Sequence, residues 1–425
     1  MLDINKIRQD KEKVKQALLK RIGEKDFDLD QIIELDDKRR ELIQKSDELK
    51  AERNKYSKTK PSAEVIQKMK RVGDEIKKLD EEIKQVEEEL KNRLSELPNI
   101  PADDVLPGGK ENNKVIKVFK EKPQFNFKPK NHVELATSLD IIDYKRAAKI
   151  SGAGFWIYKG EGALLEWALL NYFIDFHRKN GYIFLIPPFL LTEESAYVSG
   201  HLPKFRDDLY WILASSAMSR SSEKDKLCLN ATAEMMLGNY HRGEILEESV
   251  LPLKYFAYSA CFRREAGSYG REERGMIRGH QFNKIEMFQL TQPEDSWKAF
   301  DELVRNAEKL VEGLGLHYQT TQLAAEDTSA AMAKTVDIEV WIPSMEGYRE
   351  VSSVSNALDY QARRGNVKFK DKDGKNKFVH TLNASGLATS RLLPAILEQF
   401  QQKDGSVIVP RALRKYCKIK EIKKK

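Results

Sequence analysis

Between residues 30 and 97 apolar side chains recur every three or four positions, which sets this stretch apart from the rest of the chain. Leu35, Leu42, Leu49 and Tyr56 repeat every seven positions. After a break, Met69, Val72, Ile76, Leu79, Ile83, Val86, Leu90, Leu94 and Leu97 follow an almost unbroken alternation of threes and fours. A seam of this kind predicts a coiled coil. Pro61, with Thr59 and Ser62 beside it, interrupts the helix and supplies a turn. The expected element is an antiparallel helical hairpin with legs of about 30 residues, each roughly 45 Å long. So thin a rod buries no globular core and leaves its outer faces for a partner.

Pro98, Pro101, Pro107, Gly108 and Gly109 mark the exit from the arm. The expected organisation is a helical arm domain over 1–110, a linker over 111–130 and a globular domain over 131–425. Within the last, Ala163 to His177 has an apolar helical pattern, and Gly181 to Leu191 (GYIFLIPPFLL) reads as a buried strand ended by Pro187 and Pro188. Further β-like runs cover Val336–Pro343 and Tyr348–Val354, with helices over Asp295–Glu312 and Thr389–Gln402. Ser215 to Lys226 reads as a polar loop and Lys415 to Lys425 as a basic, frayed tail. Consecutive strands with interposed helices make the fold class α+β.

Charge changes this picture in one place. The net +7 is mild for 425 residues and does not by itself argue for an acidic partner. Along the arm, however, Lys50, Arg53, Lys55, Lys58, Lys60, Lys68, Lys70 and Arg71 crowd the tip, while the returning leg is mainly acidic. A basic end on an acidic rod is the footprint of a phosphate-backbone contact. A solvated coiled coil whose charges pair along its flanks would account for the same residues. Three widely spaced cysteines without a CxxC pair speak against a disulfide framework or a thiolate zinc site. The charged N-terminus lacks an apolar signal core, and no apolar run could span a bilayer. A cytoplasmic protein with no membrane partner is expected.

Four constellations carry chemistry. The first is a predicted hairpin. Its outgoing strand, KYFAYSACFRRE, puts Arg263 and Glu265 on one face with Ala257, Ser259 and Cys261. Its return strand, RGHQFNKIEMFQL from Arg278, puts Arg278, Phe282 and Glu286 on another shared face. Two guanidiniums above small side chains suit a polyphosphate. The second is Thr232-Ala233-Glu234. The third is Glu350-Val351-Ser352-Ser353, a hard oxygen set suited to Mg²⁺ between phosphates. The fourth is LNASGLATSRLLPAILEQF, in which Gly386 marks the passage from strand to helix and Arg391 sits in the first turns, as at an anion site.

In this order the four resemble the signature motifs of class II aminoacyl-tRNA synthetases, with motif 1 near 181–191, motif 2 near 255–290 and motif 3 near 382–402. With the arm, HLPKF (His201–Phe205), TAE and EVSSVSN, the chain resembles the bacterial-type seryl-tRNA synthetases from Met1 to about Tyr416. The resemblance implies a homodimer formed through motif 1, and partners serine tRNA, gripped by the arm tip, and L-serine. It implies ATP as substrate, Mg²⁺, no zinc, and ligation through seryl-adenylate, extending to selenocysteine tRNA where one exists. Arg263 would hold the α-phosphate and the serine carboxylate, in a motif that also includes Arg264. Glu265 would meet the adenine amino group, Phe282 would stack on adenine, and Arg278 and Arg391 would hold the β- and γ-phosphates. Glu350 and Ser353, in a stretch with Val351 and Ser352, would ligate Mg²⁺. Thr232, Ala233, Glu234, Glu286, Asn383 and Ser385 would form the serine pocket, with Arg263, Glu286 and Arg391 central to catalysis. Buried carboxylates facing a substrate hydroxyl reject alanine, and threonine must be excluded by shape.

His280 is expected to be structural, since the chemistry asks for charge compensation more than proton abstraction. Lys284 has the parity of Glu286 but no evident role. The chain departs from the common family pattern at LNATAEM (usually LIPTAEV), at Gly279 (usually Val) and at His201 (usually Gln). The alternative function is a catalytically silent synthetase-like protein that binds tRNA or serves as a scaffold.

Overall fold

The heptad rhythm becomes two helices, α1 (Leu29–Tyr56) and α2 (Ala63–Glu96). The computed structural model describes residues 1–24, 27–56, 62–212, 226–266 and 275–424, in two units, Met1–Ile100 and Pro101–Lys425. Thr59, Pro61, Lys58 and Lys60, most of the polar loop expected over 215–226, the hairpin turn after Ala266 and Lys425 lie outside the described residues.

Ser62 caps α2 by accepting a hydrogen bond from the Val65 amide, and the helix stops before Pro98, which disfavours helical backbone at Leu97. Every apolar position assigned to the second leg is buried or half-buried. Cross-helix pairs Lys38–Glu82 (3.0 Å), Lys50–Asp80 (2.9 Å) and Lys68–Glu52 (2.6 Å) establish the antiparallel register. The first leg differs from a purely apolar seam. Asp36 and Ser46 are 0% and 1% exposed within it. Asp36 is held by Arg8 (3.2 Å), Arg39 (2.7 Å) and Arg40 (2.8 Å), which ties a short N-terminal helix, Ile4–Gln9, to α1.

The second unit is built on an eight-stranded sheet. Its strands are β1 (Lys114–Phe119), β2 (Ile183–Leu185), β3 (Leu253–Phe262), β4 (Gln281–Thr291), β5 (Tyr318–Gln322), β6 (Lys334–Ile342), β7 (Gly347–Leu358) and β8 (His380–Ala388). Their order is β1-β5-β6-β7-β8-β4-β3-β2, antiparallel throughout except for the β2–β3 pair. Helices α3 (Glu161–Lys179), α4 (Ser296–Leu314) and α5 (Thr389–Gln399) accompany it, within a few residues of where the apolar patterns put them. The fold is α+β, as expected.

Four expectations are corrected. Residues 111–130 are more than a linker, because Lys114–Phe119 pairs with β5 as an edge strand. The backbone from 102 to 108 likewise belongs to the second unit, through Ala102 N to Ala333 O (2.8 Å) and Glu326 N to Gly108 O (3.0 Å). The GYIFLIPPFLL strand is not buried: β2 is the opposite edge, with Ile183 and Ile186 exposed. Gly386 lies inside β8, and the passage to α5 falls at Ala388–Thr389. A Cβ at Gly386 would press on the His177 ring, whose Nε2 donates to the Gly386 carbonyl at 2.7 Å.

Side-chain alternation assigns the sheet two faces. Ile285 and Met287 of β4, Val336, Ile338 and Val340 of β6, and Leu382 and Ala384 of β8 pack with Leu165, Leu169, Leu303, Leu310, Leu392 and Ile396 of the three helices. Ala257, Phe288 and Leu290 join a second core with Ala233, Met235 and Leu237. Among the described residues no helix is long and apolar enough to cross a membrane.

Candidate active site

Strand β4 places the first functional side chains. Phe282, Lys284 and Glu286 stand opposite Cys261, Ser259 and Ala257 of β3. The small β3 residues keep the floor low, and a cavity of about 370 Å³ opens above it. Its walls include Thr232, Glu234, Arg263, Glu265, Arg278, Glu286, Glu350, Ser353, Asn383 and Ser385. A smaller adjoining cavity shares Arg263, Glu265, Arg278, Glu350 and Ser385, and adds Phe282 and Arg391.

The two ends of the hairpin differ from the expected strands. β3 stops at Phe262 and β4 starts at Gln281, so Arg263, Glu265 and Arg278 come from the segments flanking the turn. His280 steadies them. Its carbonyl accepts from Arg263 N and its Nδ1 donates to Arg263 O, both at 3.0 Å. Arg263 lies 5.3 Å from the Phe282 ring, a cation–π distance, and donates from Nε to Ala231 O at 3.3 Å. Arg278 Nε meets Glu265 Oε2 at 2.7 Å, and Arg391 Nη1 meets Glu350 Oε2 at 3.2 Å. These charges neutralise one another in a cleft open to a polyanion.

A bulge explains how Glu350 and Ser353, three apart, reach the same cavity. The β6–β7 register shifts between Ile338 and Glu339, so Ser352 faces Ile338 while Glu350 faces Glu339. The extra residue, Val351, turns into the core and re-aims Glu350. Asp337, paired in register with Ser353, has a buried Oδ1 without a hydrogen-bond partner. Burial, and then the Glu350 charge, push its carboxyl well above its ordinary range. A hard-oxygen pair with a deprived carboxyl behind it fits a cation that takes its other ligands from phosphates and water. Among the described residues no three His, Cys, Asp or Glu side chains could hold a metal ion by themselves.

The deeper end of the cavity is polar and buried. Lys284 is 5% exposed, with its Nζ 2.5 Å from Glu286 Oε2 and 2.6 Å from Thr232 Oγ1. Asn383 donates to Glu286 Oε1 at 3.2 Å, and its own buried Oδ1 has no hydrogen-bond partner. Gln361 donates to Glu234 Oε1 at 2.7 Å. Burial, and then the charge of Glu286, push the Glu234 carboxyl up to about 7. The role of Lys284 was missing from the sequence because its second partner, Thr232, is 52 residues away. Gln361 gave no signal at all.

Four residues expected at the site do not line it. Ala233 and Val351 are buried in the cores, at 0% and 1% exposure. Ser352 is turned inward and donates to the Ser385 carbonyl at 2.5 Å, and Arg264 alternates outward between its two inward-facing neighbours. The unusual residues are accommodated. A Cβ at Gly279 would run into the Trp156 ring, which fills the space of the usual side chain. Asn230 of LNATAEM ties its loop to β3 by donating to Ala260 O at 2.9 Å. His201 lines the cavity with Nδ1 2.9 Å from Ser199 Oγ. Burial, then Arg263, Lys284 and Arg364, hold its pKa near about 3, so it is neutral.

The chain is similar to known proteins over almost its whole length. The family model for the seryl-tRNA synthetase N-terminal domain matches residues 1–101, and that for the tRNA synthetase class II core domain (G, H, P, S and T) matches residues 213–400. The serine–tRNA ligase 2 of Clostridium acetobutylicum is 55% identical, over 98% of this chain and 99% of its own. The chain belongs to the seryl-tRNA synthetase family. Among solved structures of that family, the Pyrococcus horikoshii synthetase complexed with ATP superposes with a TM-score of 0.89 at 34% identity, covering 99% of both chains. The Naegleria fowleri cytoplasmic enzyme in complex with AMP gives 0.87 at 32% identity, covering 100% of this chain and 99% of its own.

The Glu234 environment yields a pH signature for this synthetase. A carboxyl raised from 4.5 to about 7 favours the fold when neutral, so its contribution is full below pH 4.5 and is lost as pH rises through 7. Glu234→Gln keeps the acceptor for Gln361 and removes the titration. Its unfolding free energy should exceed the parent's by about 1–3 kcal/mol at pH 8 and by much less at pH 5. An equal difference at both pH values in urea unfolding would contradict the assignment.

Proposed function

We propose that this chain activates L-serine with ATP and transfers it to serine tRNA. The observation that supports this best is the convergence, in adjoining cavities, of cations suited to phosphate with a buried Lys284–Glu286–Glu234 pocket suited to a small polar amino acid. The serine carboxylate would attack the α-phosphate in line, forming seryl-adenylate and releasing pyrophosphate. The tRNA terminal 3′-hydroxyl would then attack the seryl carbonyl, breaking its bond to the phosphate and releasing AMP. No enzyme nucleophile is needed, because positioning and charge compensation carry the phosphoryl step. Arg263 would span the α-phosphate and the serine carboxylate, Glu265 and Phe282 would hold adenine, and Arg278 and Arg391 would clamp the outer phosphates. Glu350 and Ser353 would hold a magnesium ion, whose charge would offset that of the phosphates. The ATP complex of the Pyrococcus horikoshii relative supports ATP as the co-substrate.

The serine end would be read by Glu286, Glu234, Thr232, Asn383 and Ser385, with Lys284 holding Glu286 and Thr232 in place. A homodimer is supported by apolar side chains left exposed around motif 1: Leu164 (51%), Trp167 (57%), Ile183 (54%) and Ile186 (73%). A cytoplasmic setting accords with three buried free thiols. At the arm, Arg53, Lys55, Lys70 and Arg71 are exposed and suit a tRNA backbone. Lys50 and Lys68 are drawn toward Asp80 and Glu52, so their part is first to join the helices. A selenocysteine tRNA presenting the same features to the arm would be serylated by the same route.

Serine-dependent ATP–pyrophosphate exchange tests the site, and Arg263→Ala should slow it by at least about 100-fold, the size of effect expected for one charge-stabilising donor. Parent-like exchange by that variant would refute the assignment, and a parent without exchange would point to a silent binding protein. Deleting Leu35–Leu94 should abolish tRNA charging and leave exchange largely intact. Loss of both would make the arm structural. Charging by the full chain should fall steeply with salt.

A further inference from the structure

Behind the cavity, on the helix side of the sheet, Glu166 of α3 is 2% exposed and belongs to none of the ligand-facing groups. Its Oε1 accepts two hydrogen bonds, from Thr389 Oγ1 at 2.6 Å and from Asn283 Nδ2 at 2.8 Å. Its Oε2 is buried, and the polar group beside the carboxyl on that side is the buried hydroxyl of Tyr158, too far or too poorly aligned for a full hydrogen bond but close enough to interact with the carboxyl. Burial pushes the carboxyl up to about 7, against the pull of Thr389, Asn283 and, least, Tyr158. A buried carboxyl with one poorly satisfied oxygen is costly, so packing alone does not account for it.

Its two partners are placed where the site is most sensitive. Asn283 lies between Phe282 and Lys284 on β4, and Thr389 opens α5 two residues before Arg391. Thr389 Oγ1 is also 3.1 Å from the Asn283 carbonyl, and Asn283 Oδ1 accepts from Tyr258 of β3 at 3.1 Å. The carboxyl therefore joins β4 to the first turn of α5 from beneath, while Phe282 and Arg391 emerge above into the same cavity.

We infer that Glu166 is a positioning residue that holds β4 and α5 in register, so that Phe282 and Arg391 meet one nucleotide together. Lys284, the other neighbour of Asn283, is fixed independently by Glu286 and Thr232, whereas Phe282 and Arg391 have no such second anchor in the serine pocket, so the effect falls mainly on the nucleotide. This inference rests on the proposed activation of serine with ATP.

Pyrophosphate exchange with ATP and serine varied separately provides the test. Glu166→Ala should raise KM for ATP about tenfold and lower kcat, with KM for serine within twofold of the parent. Glu166→Gln, whose carbonyl accepts from both partners, should restore the parent's values to within about threefold. Thr389→Val removes one donor with little change of shape, so it serves if Glu166→Ala does not fold. It should shift KM for ATP about threefold in the same direction. Equal rises in both KM values, an unchanged KM for ATP, or a Gln variant as impaired as the Ala variant would overturn the inference. A parent inactive in exchange would instead remove the reading beneath it.

Discussion

The site depends on the alternation of one strand. In β4 the odd positions Asn283, Ile285 and Met287 face helices, while the even positions Phe282, Lys284 and Glu286 face the cavity. A slip of one residue would bury the chemistry and expose the core. The strand resists slipping because it is paired on both sides, by β3 and β8. The buried Lys284–Glu286 contact follows from that placement, and it needs Thr232 and Asn383 around it. An ion pair taken so far from water adds little net stability, since desolvation offsets most of the attraction. It is better understood as preparation for a ligand.

Charge is arranged by length scale. In the smaller cavity, Arg278 with Glu265 and Arg391 with Glu350 are partly solvated pairs, which the proposed polyphosphate would rearrange at modest cost. At the deep end, Glu234, Lys284 and Glu286 are less than a tenth exposed, and their polar atoms keep few partners. If serine binds there as proposed, a substrate without the hydroxyl would leave buried groups unmatched, a penalty much larger than the loss of a methylene contact.

Local pattern made much of this legible. The heptads announced α1 and α2, and period-two alternation put Phe282 and Glu286 on one face. What stayed hidden involved partners distant in sequence. Nothing in the heptad pattern marks Asp36 as buried, because its arginines include Arg8 on another helix. The motif 1 strand reads as buried from its composition, yet it is an edge, and composition does not say which surfaces a second copy would cover. Glu350-x-x-Ser353 would point to opposite faces of a regular strand, and only the bulge at Val351 brings the two together. Gly279 makes sense only once Trp156 is seen against it.

The central claim is that the buried carboxylates and lysine at the deep end demand a hydroxyl-bearing amino acid. Its most direct test is the ratio of kcat/KM for serine to that for alanine in ATP–pyrophosphate exchange at fixed ATP. A pocket that relies on pairing its buried polar groups should favour serine by about 10⁴ or more. Alanine activated to within about 100-fold of serine, the range of a merely steric pocket, would contradict the account.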